Sequence, residues 1–365
     1  MIGILGGGQL GRMLALAAHR LGIGVRTLET VADAPASSVS ELYVGSFDDV
    51  DALDRFAKGL SAVTYEFENV PVGAAQHLAE HVPVYPPPSA LEVAQDRWAE
   101  KRLFRSLGID TPAFAIIDDD ASFEKALREV GLPAVLKTRR GGYDGKGQYV
   151  VKTLLEARQA YQELGRAGLI LEEFVHFDRE LSLVAVRSQE GESRFYPLVE
   201  NHHREGILRQ TIAPAPGVTP AVEAVADIWA KRLLDHWNYV GVFAVELFAI
   251  GDKLLANEIA PRVHNSGHWT MEGAEVCQFE NHLRAVAGLP LGSTAVRAPT
   301  TMINLIGQIP DRASILSLPG AHLHLYGKEP RPGRKVGHIN IRVVPDADHA
   351  EVVQQALRRA QSDPT

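Results

Sequence analysis

The sequence predicts an α/β protein in which a parallel sheet flanked by helices comes first, a longer mixed block follows, and a small strand-and-helix block closes the chain. Three observations predict it. Short apolar runs alternate with helical periodicity through residues 1–84. Pro86, Pro87 and Pro88 then interrupt the pattern. Beyond them, apolar strand candidates and amphipathic helices mix up to about residue 297. A chain of 365 residues has the length for two or three domains with sizeable cores.

Ile2–Leu5 is a short apolar run ending in glycines and reads as a strand. Residues 9–21 carry helical periodicity, and 24–28 read as a second strand. Residues 62–67 follow as a strand and 72–81 as a helix. Three consecutive prolines can neither continue a helix nor sit in a central strand, so they predict a stiff connector. The second block opens with a charged helix over 91–107, ending at Gly108. Strands are expected at 134–137 and 149–151, around a loop at 139–148, and extended segments at 169–174, 180–187 and 195–199. Thr219 followed by Pro220 is an N-cap and N1 pair that opens a helix to about Trp237. Residues 240–250 and 254–259 flank Gly251, Asp252 and Lys253 as a hairpin. The last block, 298–365, holds short strands and a final helix over 349–361.

Composition excludes several functions. Hydrophobic residues make up 45% and charged residues 22% of the chain, with a formal net charge of −8 and no dense run of Lys or Arg. That argues against a nucleic-acid partner. Cys277 is the only cysteine, so no intrachain disulfide forms and thiolate zinc sites are poor candidates. No apolar stretch reaches the ~18 residues of a membrane span. The N-terminus lacks a basic segment and a small-residue cleavage site, so the expectation is a cytoplasmic protein with no membrane partner.

Gly6, Gly8 and Gly11 match G-x-G-x-x-G after a strand and before a helix, and Glu29 ends the next strand. This is the dinucleotide-binding pattern, in which backbone approaches a pyrophosphate at a helix N-terminus. A tight strand–turn–helix without ligand, or a site for another phosphate-bearing substrate, fits the same residues.

Glu246 and Glu258 give a sharper signal. If Gly251, Asp252 and Lys253 form a three-residue loop, these two acids face each other on one side of the sheet, and Asn257 alternates to the other. Like charges ~5 Å apart repel unless a cation lies between them, and Val242 to Phe248 around them is otherwise apolar. Mg²⁺, which takes a few carboxylates and completes its shell with phosphate and water, suits the pair. Lys137 closes another apolar run, and Gly141, Gly142, Gly145 and Gly147 follow it among Arg139, Arg140 and Lys146. Such a flap can wrap phosphate oxygens with backbone N–H groups. It is not a Walker A loop, since no G-K-[ST] is present.

Lys137, GGYDGKGQ at 141–148, LEEFV at 171–175 and ELFAIGDKLLANEIAPRVHNSGHWT from Glu246 together resemble the ATP-grasp superfamily. GGGQLGRM at 6–13, YEFENVP at 65–71, QDRWAEK at 95–101 and RPGRKVGHIN at 331–340 resemble, in the same order, the N5-carboxyaminoimidazole ribonucleotide synthase family of purine biosynthesis. The resemblance implies an ATP-grasp architecture. A pre-ATP-grasp domain would span 1–88 and hold no NAD. An ATP-grasp domain would span 89–297, with a flap subdomain at about 111–175, and a C-terminal domain 298–365. It implies ATP and Mg²⁺ as cofactors, 5-aminoimidazole ribonucleotide and bicarbonate as substrates, and a homodimer.

The same resemblance implies residue roles. Arg97 and Lys137 contact ATP phosphates, and Gly142, Tyr143, Asp144, Gly145, Lys146, Gly147 and Gln148 close over them. Glu172, Glu173, Phe174 and Val175 form the adenine hinge, Glu180 binds ribose, and His203 contacts the nucleotide, while neighbouring His202 carries no role. Glu246 and Glu258, beside Asn257, hold Mg²⁺. Tyr143, Asp144, Arg262, His264 and Asn265 surround the aminoimidazole and activated bicarbonate, and Lys328, Arg334 and Lys335 draw in the substrate phosphate. The implied chemistry is phosphorylation of bicarbonate to carboxyphosphate, then attack by the exocyclic amine with Asp144 handling its proton. His264 and His268 share an i, i+4 spacing, but the intervening Asn265, Ser266 and Gly267 argue for a loop and against a helical zinc pair.

Overall fold

The computed structural model describes residues 1–142 and 146–360. In the first 79 residues β1 (Ile2–Leu5), α1 (Gln9–Arg20), β2 (Val25–Glu29), β3 (Glu41–Val44), α2 (Val50–Ala57), β4 (Ala62–Tyr65) and α3 (Val72–Ala79) alternate. The four strands form a parallel sheet in the order β3-β2-β1-β4. β3 and α2 are not among the expected elements. β3 is a sheet edge with partly exposed side chains, so it lacks the apolar run that marks β1 and β4.

Two helices, α4 (Pro88–Ala94) and α5 (Arg97–Ser106), replace the single helix expected over 91–107. Asp96 causes the break. Its carboxylate accepts from the amides of Trp98 (3.0 Å) and Ala99 (3.4 Å), and so caps α5. The stiff connector is also shorter than expected, because Pro88 starts α4 in the first helical turn, where no N–H is needed.

A second sheet stands alone on its own core. It comprises β5 (Phe114–Ile117), α6 (Asp120–Val130), β6 (Ala134–Thr138), β7 (Gln148–Val151), α7 (Leu154–Glu163) and β8 (Leu169–Glu173), with strand order β5-β8-β6-β7, all antiparallel. Reciprocal capping boxes, Asp119 with Ser122 and Thr153 with Glu156, start its two helices.

The third sheet is the largest. β9 (Arg179–Arg187), β10 (Ser193–Phe195), β11 (Val199–Arg204), β12 (Ile207–Ala213), β13 (Gly241–Ile250) and β14 (Lys253–Ala260) come from the middle of the chain. β15 (Thr300–Ile306), β16 (Ala321–Leu325) and β17 (Lys335–Arg342) come from its end. They form one ladder, β14-β13-β9-β11-β12-β15-β17-β16, with β10 on β9. The closing strands therefore extend the middle sheet through β12 and β15 and build no sheet of their own. The strand expected over 195–199 is two, because Pro197 has no N–H to give a ladder.

α8 (Pro220–His236) is capped by Thr219 as expected, α9 (Thr270–Gly273) and α10 (Gln278–Val286) follow β14, and α11 (Arg312–Leu316) and α12 (His349–Ala360) cover the closing strands. Leu10, Met13 and Leu14 of α1 share one core with Phe279 and Leu283 of α10 and Val242 of β13, which docks the parallel sheet on the large one. Buried Thr64 and His282 fix that joint with a 2.8 Å hydrogen bond. Among the described residues, no helix is long and apolar enough to cross a membrane.

Candidate active site

A cleft of ≈ 730 Å³ opens where the three sheets meet. The parallel sheet contributes Gln9 and Glu68 to its wall, the flap sheet Lys137 and Gln148, and the large sheet Glu246 and Lys335.

Glu246 on β13 pairs directly with Glu258 on β14. The route to that pairing differs from expectation. Ile250 pairs with Lys253, so the turn holds only Gly251 and Asp252, and a bulge between Glu246 and Leu247 leaves Asn257 as the extra residue. The bulge restores the acids to opposite positions. It also brings Asn257 into the cleft beside Glu258, where simple alternation would have turned it away. Burial, and then the charge of Glu258, push the Glu246 carboxyl up to about 8. His203 and Arg262 pull it the other way without overcoming these two causes. His264 Nε2 lies 3.4 Å from Glu246 Oε1. The Ser266 amide donates to His264 Nδ1 at 3.3 Å, which assigns the proton to Nε2, facing the acid. Burial, with Arg262 and Lys335 nearby, holds this imidazole well below its usual pKa and therefore neutral.

Residues the sequence reading left without roles hold this bulge. Glu100 and Lys101 of α5 are 3% and 1% exposed. Glu100 accepts from the Ile259 amide at 2.7 Å, and Lys101 donates to the carbonyl of Asn257 at 2.7 Å. Lys101 also stands 3.3 Å from Glu172, which pairs with Lys137 at 3.0 Å. Burial alone would raise the Glu172 carboxyl, but the two lysines overcome it and bring it down to about 2. Glu172 thus joins the flap sheet to the bulge through Lys101. The adjacent acid and lysine of QDRWAEK were the available signal, since neither is buried without a partner.

The nucleotide residues expected from the sequence gather at one end. Arg97 lines the cleft and donates to the carbonyls of Thr138 (3.2 Å) and Gly142 (3.4 Å) at the base of the flap. Gly142, Lys146 and Gln148 line the cleft. Gly147 has φ +71° and gives its carbonyl to the Thr138 amide. Tyr143, Asp144 and Gly145 lie outside the described residues. Phe174, Glu180 and His203 line the same end, and His203 Nδ1 is 2.7 Å from Glu180 Oε2. Burial pulls His203 down, but the Glu180 hydrogen bond and the charges of Glu246 and Glu258 carry it above its ordinary value.

The hinge segment is divided. Glu172 and Glu173 lie within β8, between β5 and β6. The amides of Glu173 and Phe174 already donate to Ala113 and Pro133. Glu173 is exposed, and its carboxylate accepts from the Ala113 amide at 3.1 Å. Val175 follows the end of the strand.

At the other end, Arg262 is paired with Glu68, and their opposite charges draw the Glu68 carboxyl down and the guanidinium up despite burial. Asn265 lines the cleft with both amide atoms buried and without a partner in the protein, which leaves a donor and an acceptor for a ligand. His268 lines it as well; the residues between it and His264 form a single 3₁₀ turn, as their composition suggested. Lys335 reaches the lining, whereas Lys328 bonds Gln9 and Arg334 donates to the Glu329 carbonyl at 3.1 Å. Burial brings Lys328 down to about 8.

The N-terminal glycines hold their own acids. Glu66 accepts from the amides of Gly8 (2.5 Å) and Gly11 (2.7 Å), and Glu29 from that of Gly7 (2.9 Å). The anion at the N-terminus of α1 is thus a side chain of this chain, and a pyrophosphate would have to displace it. Sequence reasoning missed Glu66 because the contact joins residues 55 and 58 positions apart.

Comparison with known proteins agrees with this layout. Three family models match in order: a ribonucleotide synthetase preATP-grasp domain over residues 1–95, an ATP-grasp domain over 102–279 and a phosphoribosylaminoimidazole carboxylase C-terminal domain over 300–353. The N5-carboxyaminoimidazole ribonucleotide synthase of Pseudomonas aeruginosa is 50% identical over 341 residues, 93% of this chain and 94% of the relative. The crystal structure of the corresponding synthetase from Thermus thermophilus superposes with a TM-score of 0.96 at 56% identity, covering 100% of both chains. The Aspergillus clavatus enzyme in complex with ADP and 5-aminoimidazole ribonucleotide superposes with a TM-score of 0.91 at 33% identity, covering 98% of each.

Proposed function

Because the chain belongs to the N5-carboxyaminoimidazole ribonucleotide synthase family of ATP-grasp ligases, we propose that its cleft performs that reaction, with bicarbonate as the carbon source and carboxyphosphate as the intermediate. The enzyme is an ATP-dependent ligase that converts 5-aminoimidazole ribonucleotide to N5-carboxyaminoimidazole ribonucleotide in purine biosynthesis. The observation that carries the residue assignment is the facing pair Glu246 and Glu258, in the one cleft that Lys137, Arg262 and Lys335 also line.

The donor set fits a magnesium ion. Two carboxylates with Asn257 beside them offer oxygen ligands, and the raised Glu246 carboxyl marks burial and a repulsion between the acids that His203 and Arg262 do not offset. When bound there, the ion neutralises and aligns the γ-phosphoryl group during transfer. Arg97 and Lys137 hold the phosphates from the flap side, with Gly142 and Lys146 to Gln148 closing above them and excluding water that would hydrolyse carboxyphosphate. Glu180, oriented by His203, accepts from the ribose hydroxyls, and adenine lies along Phe174 with Val175 as its backbone partner. Arg262, held by Glu68, faces the developing charge on bicarbonate. Neutral His264 and the unpartnered amide of Asn265 orient the two small substrates. Lys335, assisted by Lys328 and Arg334, takes the ribose phosphate. Tyr143 and Asp144 complete the flap, with Asp144 accepting the proton from the attacking amine. A cytoplasmic homodimer belongs to the same proposal on family likeness alone.

The test is product analysis with isotopically labelled bicarbonate, ATP and 5-aminoimidazole ribonucleotide. Label retained in N5-carboxyaminoimidazole ribonucleotide, with one ADP per product, is expected. Turnover with formate in place of bicarbonate would overturn the assignment of the acid.

A further inference from the structure

We propose that Asp54, His77 and His81 form a transition-metal site of the zinc class on the outer face of the parallel sheet, separate from the active cleft. Asp54 projects from α2 and His77 from α3, and His81 lies two residues past the end of α3. The amide of His81 donates to the Leu78 carbonyl (3.0 Å) in a closing 3₁₀-type turn, and the two imidazole rings lie with centroids 5.2 Å apart, so the histidines share a face. Asp54 Oδ1 lies 2.7 Å from His77 Nε2 and 3.8 Å from His81 Nε2. The three ligand atoms all fall within 4.8 Å of one another, the closest such grouping of three His, Cys, Asp or Glu among the described residues.

Donor atoms on a tetrahedral zinc ion with bonds of ~2.0–2.2 Å lie roughly 3.3–3.6 Å apart. The present spacings bracket that range, so rotation of exposed side chains closes the site while the backbone stays in place. Asp54 and His81 are half exposed, and His77 is 23% exposed. The remaining coordination positions would therefore open to water. Two imidazoles with one carboxylate favour zinc, copper or nickel over magnesium, which prefers all-oxygen shells. This difference separates the site chemically from Glu246 and Glu258. Since its ligands come from two helices, a bound ion would tie α2 to α3 and stabilise the parallel sheet by mass action.

The experiment is calorimetric titration of the chelator-treated full chain with Zn²⁺ alone, in millimolar Mg²⁺ that occupies the carboxylate pair. One equivalent is expected to bind, with a rise in the thermal midpoint. Asp54→Asn and His81→Ala are each expected to weaken binding by roughly tenfold or more and to remove that rise, while ATP turnover without zinc stays at the parent level. Zinc affinity and stoichiometry unchanged in both variants, or no zinc uptake in the presence of Mg²⁺, would overturn the proposal.

Discussion

Two regions of this molecule bury carboxylates, one at the glycine turn before α1 and one on the paired strands β13 and β14, and they differ in what meets the acids. At Gly6 to Gly11 the amides are met by Glu66 and Glu29, so donors and acceptors are matched within the chain. In the cleft, Glu246 and Glu258 face each other beside a neutral imidazole, and burial and Glu258 drive the Glu246 carboxyl up to about 8 although His203 and Arg262 pull it down. The first arrangement is closed and the second is open. What distinguishes them is whether the protein has already satisfied the charge.

The contrast can be broken experimentally, beginning with the element that holds the open site. Lys101→Met removes one cation from Glu172 and the donor to the Asn257 carbonyl. Stranding a buried charge in this way is expected to destabilise the protein by about 3–5 kcal/mol, read by urea unfolding, with a raised KM for ATP in the folded fraction. Near-parent stability would show that Lys137 alone satisfies Glu172. Glu258→Ala is next, with an expected loss of roughly 10²–10³-fold in turnover and retained folding by circular dichroism. Near-parent turnover would discard the metal assignment.

The closed site gives a smaller effect. Glu66→Gln keeps the shape but turns an NH₂ toward one glycine amide, leaving that donor unpaired. About 1–3 kcal/mol of stability should be lost, with no gain of NADH binding. Tight NADH binding by the parent would instead revive the dinucleotide reading. A last test concerns pH. An acid whose folded pKa lies above its unfolded value binds more protons when folded, so its contribution falls as pH rises between the two values. For Glu246 that window runs from 4.5 to about 8. Stability measured in chelator should decline across it, and millimolar Mg²⁺ should flatten the decline.

Much of this was legible in the chain. β1, α1, β2 and β4 follow from apolar runs and periodicity, and the Thr219–Pro220 start of α8 follows from capping chemistry. The facing of Glu246 and Glu258 was also readable, although through the wrong turn: a bulge and a two-residue loop add to the same register as a three-residue loop. Contacts between distant segments were not readable. Glu66 reaches the glycine loop and Lys101 reaches Asn257 across 156 positions, and no local pattern encodes either partner. The break before α5 was available in principle, since Asp96 is a good cap, but the continuing charged periodicity concealed it.

The junction of β12 with β15 bears on how far this chain can be shortened. Arg297 marks a natural-looking cut in the sequence, yet stopping there would strip β12 of a neighbour along Gln210 to Ala213. The exposed rim would offer unpaired amides and carbonyls to any passing strand. A truncated product should therefore self-associate, and the lysine at the start of β17 would be lost with the removed piece. For this ligase, catalytic completeness and solubility depend on the same seam.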